Sequence, residues 1–366
     1  MLKIAIVGCG KIADLHAQQI LRYPHARIVA ACDNEPLMAL QLKDRFPIDN
    51  HYGNVDELLS KERPDVVHIT TPPQSHLALA TRCMEAGSHV YVEKPFTVDL
   101  REALAIVEVA ERTQRKLTVG HNVQFTRPSM AMRRLVKDGF LGGSPRHMES
   151  HYAYDLGDAK YVKALLGDKD HWVRRLPGRL LQNIISHGIS KIAEFLPSDD
   201  LEIKTIAFPS RQMREGGEAE IADELRVMLL DRVNEVTAYF TFSTQSRPLL
   251  HQFRLYGARN GLLTDDDHQI ILRLDGQRRK SFLEQFLPPI SIGKQYALNG
   301  LTNMHDFVTR RLYNDMGMGN LIAAFYSSIV SNTAPPIPYR EIISTTRIME
   351  CIFEQLFPGS EKDSER

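Results

Sequence analysis

Leu2-Lys3-Ile4-Ala5-Ile6-Val7-Gly8-Cys9-Gly10-Lys11-Ile12-Ala13 decides the fold. An apolar run enters a glycine turn, and a helical pattern begins directly after it. Glycines let the backbone come close to a pyrophosphate, and the helix that follows aims its N-terminal N–H groups at the negative charge. Gly8, Gly10, Lys11 and Ile12 are therefore expected to bind a dinucleotide. Asp33 follows about 20 residues later, at the end of the second apolar run, where a carboxylate accepts both ribose hydroxyls of an adenosine. It would repel a 2′-phosphate, so NAD is expected ahead of NADP. The same aspartate can also cap the helix that opens at Pro36, and the two roles are compatible.

Outward from this turn the pattern repeats. Apolar runs at 2–7, 27–32, 65–69, 89–92 and 116–119 are rich in Val and Ile and nearly continuous, as strands buried on both faces of a parallel sheet are. Helical patterns at 13–23, 36–46, 55–60, 75–86 and 100–113 separate them. Asp99 with Glu102 reads as a capping box, Pro36 suits a first turn, and Gly87 suits the left-handed position past a helix end. Such alternation implies βαβ units with right-handed crossovers.

After Asn122 the rhythm changes. A helix at 129–137 ends at Asp138-Gly139. Strands are expected at 147–152, 201–208, 225–230, 235–242, 252–256 and 269–274, with no helix between most of them, which implies a largely antiparallel sheet. Asn260-Gly261 reads as the turn between two of them. Helices are expected at 180–196, 319–331 and 340–356. The polar stretch 211–222 reads as a mobile loop, and 359–366 as a disordered tail. The fold class is α/β: a Rossmann dinucleotide-binding domain over 1–122, then an α/β domain over 123–358 with a largely antiparallel open sheet, for substrate binding and oligomerisation.

Composition sets outer limits. Lys+Arg and Asp+Glu balance at 45 each in 366 residues, so no basic excess points to nucleic acid. No apolar run suits membrane insertion and no leader pattern opens the chain. Cys9, Cys32, Cys83 and Cys351 lack metal-site or CxxC spacing, so no metal is expected, and they read as small buried hydrophobes in a cytoplasmic protein.

Four further places carry chemistry. Thr70-Thr71-Pro72-Pro73-Gln74-Ser75-His76 stiffens the chain leaving the third long run, with Ser75 a candidate helix cap. His76 either lines the cofactor crevice or sits solvated in a first turn. Glu93-Lys94-Pro95 puts a lysine at a strand end, where partial desolvation lowers its pKa and suits it to a substrate hydroxyl; the bland alternative is an ion pair with Glu93. Asn183 and His187, four apart on a helix, share a face that Ser190 and Lys191 extend, and a histidine there is a natural proton acceptor for an alcohol. Tyr152, Tyr154, Trp172, Arg174 and Arg175 fall where a substrate cover is expected, or else serve packing and surface.

Together these residues resemble the Gfo/Idh/MocA family of oxidoreductases. The likeness rests on Gly8-Cys9-Gly10-Lys11-Ile12-Ala13, on Thr71-Pro72-Pro73 with His76, on Glu93-Lys94-Pro95, and on Gly120-His121-Asn122 followed by Phe125 and Pro128. Less specific are Tyr256-Gly257 with Asn260-Gly261, and the closing helices with Pro335 to Pro338 between them. The resemblance implies a Rossmann domain that binds NAD(P) and a second domain whose open sheet forms a homodimer or homotetramer. It also implies a substrate of the sugar, inositol or nucleotide-sugar class. It assigns Thr71, Pro72, His76, Glu93, Lys94 and Asn122 to the cofactor side. Lys94, Asn183 and His187 become the catalytic set, with Asn122, Tyr152, Trp172 and Arg174 beside the substrate. One departure stands out: Asn183 and Ser190 occupy positions where the family usually has aspartates, and Ile185 stands where it has a small residue. Proton chemistry then falls on His187 and Lys94.

The expected function is hydride transfer between a nicotinamide cofactor and a sugar-type hydroxyl. Two alternatives remain open. One is a redox-neutral NAD-dependent epimerase, lyase or glycosidase; the other is a non-catalytic NAD-binding regulator.

Overall fold

A computed structural model describes residues 1–156, 171–280, 282–313 and 315–358, so the expected tail at 359–366 lies outside the described residues. The chain divides into two compact units, Met1–Asn122 with Gly317–Arg347, and Val123–Met316 with the residues from Ile348 on.

In the first unit the chain alternates β1 (Leu2–Val7), α1 (Lys11–Ile20), β2 (Ala26–Cys32), α2 (Pro36–Arg45), β3 (Asn50–Tyr52), α3 (Val55–Glu62), β4 (Val66–Ile69), α4 (His76–Glu85), β5 (His89–Val92), α5 (Leu100–Thr113) and β6 (Leu117–Val119). The six strands lie in the order β3-β2-β1-β4-β5-β6, and every pairing is parallel. This is the doubly wound dinucleotide-binding order, in which the crevice opens at the carboxyl ends of β1 and β4, where the winding reverses. The central strands are buried along their length because helices cover both faces, which is why their sequences read as unbroken Val/Ile runs. β3 was not expected: it is short, polar and half-exposed at the sheet edge, so it carries no apolar signal.

The local signals behave as their chemistry dictates. The Asp99 carboxylate accepts from the Glu102 N–H at 2.8 Å, and Glu102 accepts from the Val98 N–H at 3.2 Å. Pro36 opens α2, and Gly87 takes φ +97° past the end of α4. Ser75 does not cap α4; its hydroxyl donates to Thr71 Oγ1 at 2.7 Å instead, because a 3₁₀ turn at Pro73–Ser75 already leads into the helix.

The second unit holds α6 (Arg127–Lys137), β7 (His147–Ala153), α7 (Arg179–Ile184), α8 (Ser186–Ala193), β8 (Glu202–Phe208), α9 (Arg211–Glu215), β9 (Glu224–Asp231), β10 (Val236–Ser243), β11 (His251–Tyr256), β12 (Asn260–Asp265), β13 (Ile270–Asp275) and α10 (Leu283–Val308). Its seven-stranded sheet runs β13-β12-β11-β7-β10-β9-β8, antiparallel except between β7 and β10. α8 packs on this sheet at Gly188, where an added Cβ would stand 2.2 Å from Phe240. The core on that side is built by residues such as Ile189, Ile192, Phe240, Phe242 and Leu255.

Four expectations are corrected here. The single helix at 180–196 is two, α7 and α8, meeting in a turn at Ile185. The β11–β12 turn sits at 257–259: the Gly257 N–H donates to Asn260 O at 2.9 Å, and Asn260-Gly261 already belong to β12. Gly257 is required at that turn because a Cβ would lie 2.4 Å from Leu141 O. The stretch 211–222 is anchored, with α9 capped by the Ser210 hydroxyl and with Met213 and Ile221 buried in the core. α10 was not expected at all.

The chain closes with α11 (Met316–Val330) and α12 (Tyr339–Leu356). Residues 317–347, expected in the second domain, group with the first unit. The Lys116 ammonium donates to the carbonyls of Ser328 and Thr333, and the Leu117 N–H donates to Tyr339 Oη at 3.1 Å. The α11 aromatics Phe325 and Tyr326 are fully buried against Tyr23, His68 and Tyr91.

Candidate active site

All the cofactor-side residues stand at the carboxyl ends of the parallel strands. Gly8 leaves β1 with φ +94°, and an added Cβ would meet Thr71 N at 2.8 Å and Thr70 C at 2.9 Å, so β1 and β4 end in van der Waals contact. Gly10 begins α1 as its N-cap, and a Cβ there would meet nothing within 4 Å. That open cradle before a helix N-terminus, where the helix dipole favours negative charge, fits a pyrophosphate.

Asp33 ties the turn to β2. Its Oδ2 accepts from the Cys9 N–H at 2.7 Å and its Oδ1 from the Glu35 N–H at 2.9 Å. Each carboxylate oxygen has a second lone pair for a ribose hydroxyl. Replacing Asp33 with serine is expected to narrow the preference for NAD over NADP by about tenfold or more, one such step being worth about 1.4 kcal/mol. Titration calorimetry with both nucleotides checks this, and an unchanged ratio removes Asp33 from the ribose site.

His76 is not solvated. It is fully buried, with Nδ1 2.9 Å from Phe96 O and Nε2 2.8 Å from Thr71 O. Burial lowers its pKa against those carbonyls and Glu93, so a neutral ring donates to one carbonyl at a time. It locks the Thr71-Pro72 turn to the segment after Lys94-Pro95. The thiols of Cys9 and Cys32, pushed up by burial to about 12 and about 11, are not nucleophiles at neutral pH.

Glu93 heads a buried chain of polar groups that no local sequence signal marks. Its Oε1 lies 2.9 Å from His16 Nε2; His16 Nδ1 lies 2.8 Å from His68 Nδ1; His68 Nε2 lies 2.7 Å from Tyr326 Oη. An ionised Glu93 only accepts. With both imidazoles neutral, one assignment satisfies all three bonds: Tyr326 donates to His68, His68 to His16, and His16 to Glu93. Burial holds the His68 pKa well below its usual value, which keeps that ring neutral. Burial raises the Glu93 pKa, but the His16 hydrogen bond, the Lys94 charge and the Lys94 N–H outweigh it, so the carboxyl is held ionised. Gly120 stays close because a Cβ would meet Glu93 Oε1 at 2.8 Å. The Lys94 N–H donates to Glu93 Oε2 at 3.0 Å, and burial lowers the pKa of the half-buried Lys94 while the Glu93 charge opposes the shift. Beyond β6, Asn122 Oδ1 is buried without a hydrogen-bond partner among the described residues, an acceptor that suits a ligand donor.

Of the residues expected beside a substrate, Lys94 and Asn122 belong to the first unit, and Tyr152, Trp172, Arg174, Asn183 and His187 to the second. Asn183 on α7 and His187 on α8 are both half-buried, and the turn at Ile185 separates them, so the expected single helical face does not carry both. The His187 ring stacks on Tyr152, centroids 5.4 Å apart, and Tyr152 in turn packs on His251 at 4.5 Å. A small pocket there is lined by Tyr152, His187, Lys191, His251 and Asp266 among others. The buried Lys191 pairs with Asp266, which also accepts from Thr126 Oγ1 at 2.9 Å. Ser190 is fully buried, its hydroxyl donating to His187 O at 3.2 Å. Arg174 pairs with Glu218, and Trp172 lies against His171 at 5.6 Å. Among the described residues no cluster of His, Cys, Asp or Glu could hold a metal ion, and no helix is long and apolar enough to cross a membrane.

Comparison with known proteins agrees with this geometry. Residues 2–121 match the Gfo/Idh/MocA model, described as an oxidoreductase family with an NAD-binding Rossmann fold. The 1-carboxy-3-chloro-3,4-dihydroxycyclohexa-1,5-diene dehydrogenase of Comamonas testosteroni is 34% identical over 141 residues, 38% of this chain and 36% of that protein. The alpha-N-acetylgalactosaminidase of Shewanella oneidensis is 26% identical over 207 residues, 54% of this chain and 44% of that protein. The matched stretch thus spans less than half the length of these curated relatives. The WlbA dehydrogenase of Bordetella pertussis, solved with NADH and UDP-GlcNAcA, shares the fold with a TM-score of 0.73 at 15% identity, covering 97% of this chain and 96% of that one. Strand order, glycine turn and match agree over one stretch: residues 2–121 match the NAD-binding Rossmann fold of the Gfo/Idh/MocA oxidoreductase family.

Proposed function

We propose that this protein is an NAD-dependent oxidoreductase acting on a CH–OH group of a sugar, inositol or nucleotide sugar. One observation carries the reading. The open glycine cradle, the Asp33 carboxylate and the Glu93-Lys94 pair all stand at the carboxyl ends of one sheet in dinucleotide-binding order. NAD, when bound, supplies the hydride acceptor and, when reduced, the donor.

The chain's own residues do the rest. Gly8, Gly10, Lys11 and Ile12 receive the pyrophosphate, Asp33 the ribose, and Thr71 and Pro72 the wall of the crevice. Lys94 hydrogen-bonds the reacting hydroxyl, and its lowered pKa eases proton exchange. His187 is the proton acceptor of the second unit, oriented by its stack on Tyr152. Asn183 orients a hydroxyl without taking its proton. In this reading the first unit serves the nucleotide and lends Lys94 to the substrate, the second unit supplies the rest of the substrate site, a small molecule is the partner, and the assembly is homo-oligomeric.

The deciding assay mixes the purified chain with NAD or NADP and a panel of sugars, inositols and UDP-sugars, and follows reduced-nicotinamide absorbance. Net reduction with one class is expected, and His187→Ala is expected to lower it by about 10²–10⁴-fold. Product formation with no net reduction would replace this reading with a redox-neutral one. Nucleotide binding with no product from any substrate would leave a regulator.

A further inference from the structure

α10 turns its polar side to the sheet and its apolar side to water. Three amides, Gln295, Asn299 and Asn303, face β13, the edge strand. Gln295 accepts from the Arg273 N–H at 2.8 Å and donates to the Arg273 carbonyl at 3.1 Å. Asn299 repeats this at Ile271, at 3.2 and 3.0 Å, and Asn303 donates to the His268 carbonyl at 2.7 Å. Each amide stands in for the peptide group of a missing next strand and so closes the edge. No residue of the helix is buried. On its opposite side Leu283, Phe286, Ile290, Leu301 and Met304 are 45%, 56%, 67%, 61% and 66% exposed. The apolar face of a helix is ordinarily what docks it, and here no described residue buries that face.

The period of this face says what covers it. Leu283, Leu287, Ile290, Lys294, Ala297 and Leu301 follow one another in alternating steps of four and three, and Met304 and Val308 continue the series. That is the 3.5-residue repeat of a seam between two helices. Its one charged member, Lys294, is the kind of residue that fixes register in such a seam at some cost in stability. A helix lying on an anionic lipid surface carries a polar face rich in Lys and Arg; the polar face of α10 is spent on β13, and Lys294 is balanced by Glu284 and Asp306. At 1.5 Å per residue the helix is about 39 Å long, so its outer stripe offers on the order of 400 Å², the size at which an exposed apolar patch marks an interaction site.

We propose that α10 pairs with α10 of a second copy of this chain through this seam. A closed two-fold pairing needs only self-complementarity, which an apolar seam provides. The arginines beyond the helix ends, Arg278, Arg279, Arg310 and Arg311, are the reason for including vesicles in the test.

Sedimentation velocity and native mass spectrometry of the full chain give the assembly mass and its dissociation constant. The double variant Ile290→Glu, Leu301→Glu is expected to halve the mass or weaken association by about 100-fold or more, since each pairing would bury unpaired carboxylates. Thr302→Glu, exposed on α10 but off the seam, is expected to change nothing, with circular dichroism confirming the fold of each variant. Lys294→Leu is expected to tighten association by about tenfold or more, and decides the matter alone if the double variant fails to fold. A wild type that stays monomeric at micromolar concentration overturns the proposal. So does a double variant of unchanged mass, or binding to phosphatidylserine vesicles that the double variant loses while its assembly mass is kept.

Discussion

Replacing Lys94 with alanine is expected to lower turnover by about 10²–10⁴-fold while leaving NAD affinity nearly unchanged. The lysine stands at the end of β5, half-buried, and its neighbour Glu93 is held ionised by the His16–His68–Tyr326 chain. Burial lowers the cost of releasing the lysine's proton, and the Glu93 charge opposes that shift. In the proposed binding mode the pyrophosphate and ribose contacts come from the ends of β1 and β2 and the start of α1, so nucleotide binding is expected to survive loss of the lysine. Lys94→Arg is not expected to restore activity, because a guanidinium does not release its proton in this range. Steady-state kinetics with calorimetric NAD titration separates the two effects. Near-wild-type turnover in Lys94→Ala would sink its catalytic role.

Gly8→Ala is expected to cost about 2–6 kcal/mol of stability, summing a non-glycine residue forced to positive φ and an overpacked contact. The contact is with backbone that cannot yield: the Thr70 N–H donates to Val7 O at 2.8 Å, and the Thr70 hydroxyl donates to Gly8 O at 2.5 Å. Against an ordinary stability of about 5–15 kcal/mol, such a loss is a large fraction of the whole. Gly10→Ala makes the contrast. Its φ is −74° and its Cβ meets nothing, so the fold is expected to be unaffected while NAD affinity falls by about tenfold or more. Denaturant unfolding and NAD titration on both variants check the pair. Equal stability loss in the two would contradict this division between a packing glycine and a ligand glycine.

Much of the first unit was legible because each signal there is local. Val/Ile runs buried on both faces need no partner to be recognised as strands, and the Asp99–Glu102 box, Pro36 and Gly87 act within one helical turn. β3 was missed for the opposite reason, since an edge strand with one neighbour needs no apolar pattern. α10 was missed because Pro288, Pro289, Gly293 and Gly300 all speak against a helix. Gln295 and Asn299 find their strand-like partners on β13, 22 and 28 positions back, a spacing that no helical period records. The shift of the β11–β12 turn has a similar cause. Asn260-Gly261 has the right chemistry, but the close approach of Leu141 fixes the turn at Gly257.

From local pattern alone came the doubly wound unit, the glycine turn with Asp33 after it, and Glu93-Lys94 at a strand end. Each depends on residues within a few turns of one another or on strand ends that the winding rule places together. What surrounds them came from tertiary packing, which also broke the expected helix between Asn183 and His187 at Ile185. It joined His16, His68, Glu93 and Tyr326, drawn from four elements, into one chain of hydrogen bonds. It paired the buried Lys191 with Asp266, and it returned residues 317–347 to the first unit. Such pairings join residues up to 258 positions apart, and their energy lies in removing polar groups from water together, a cost and a gain that no local pattern records.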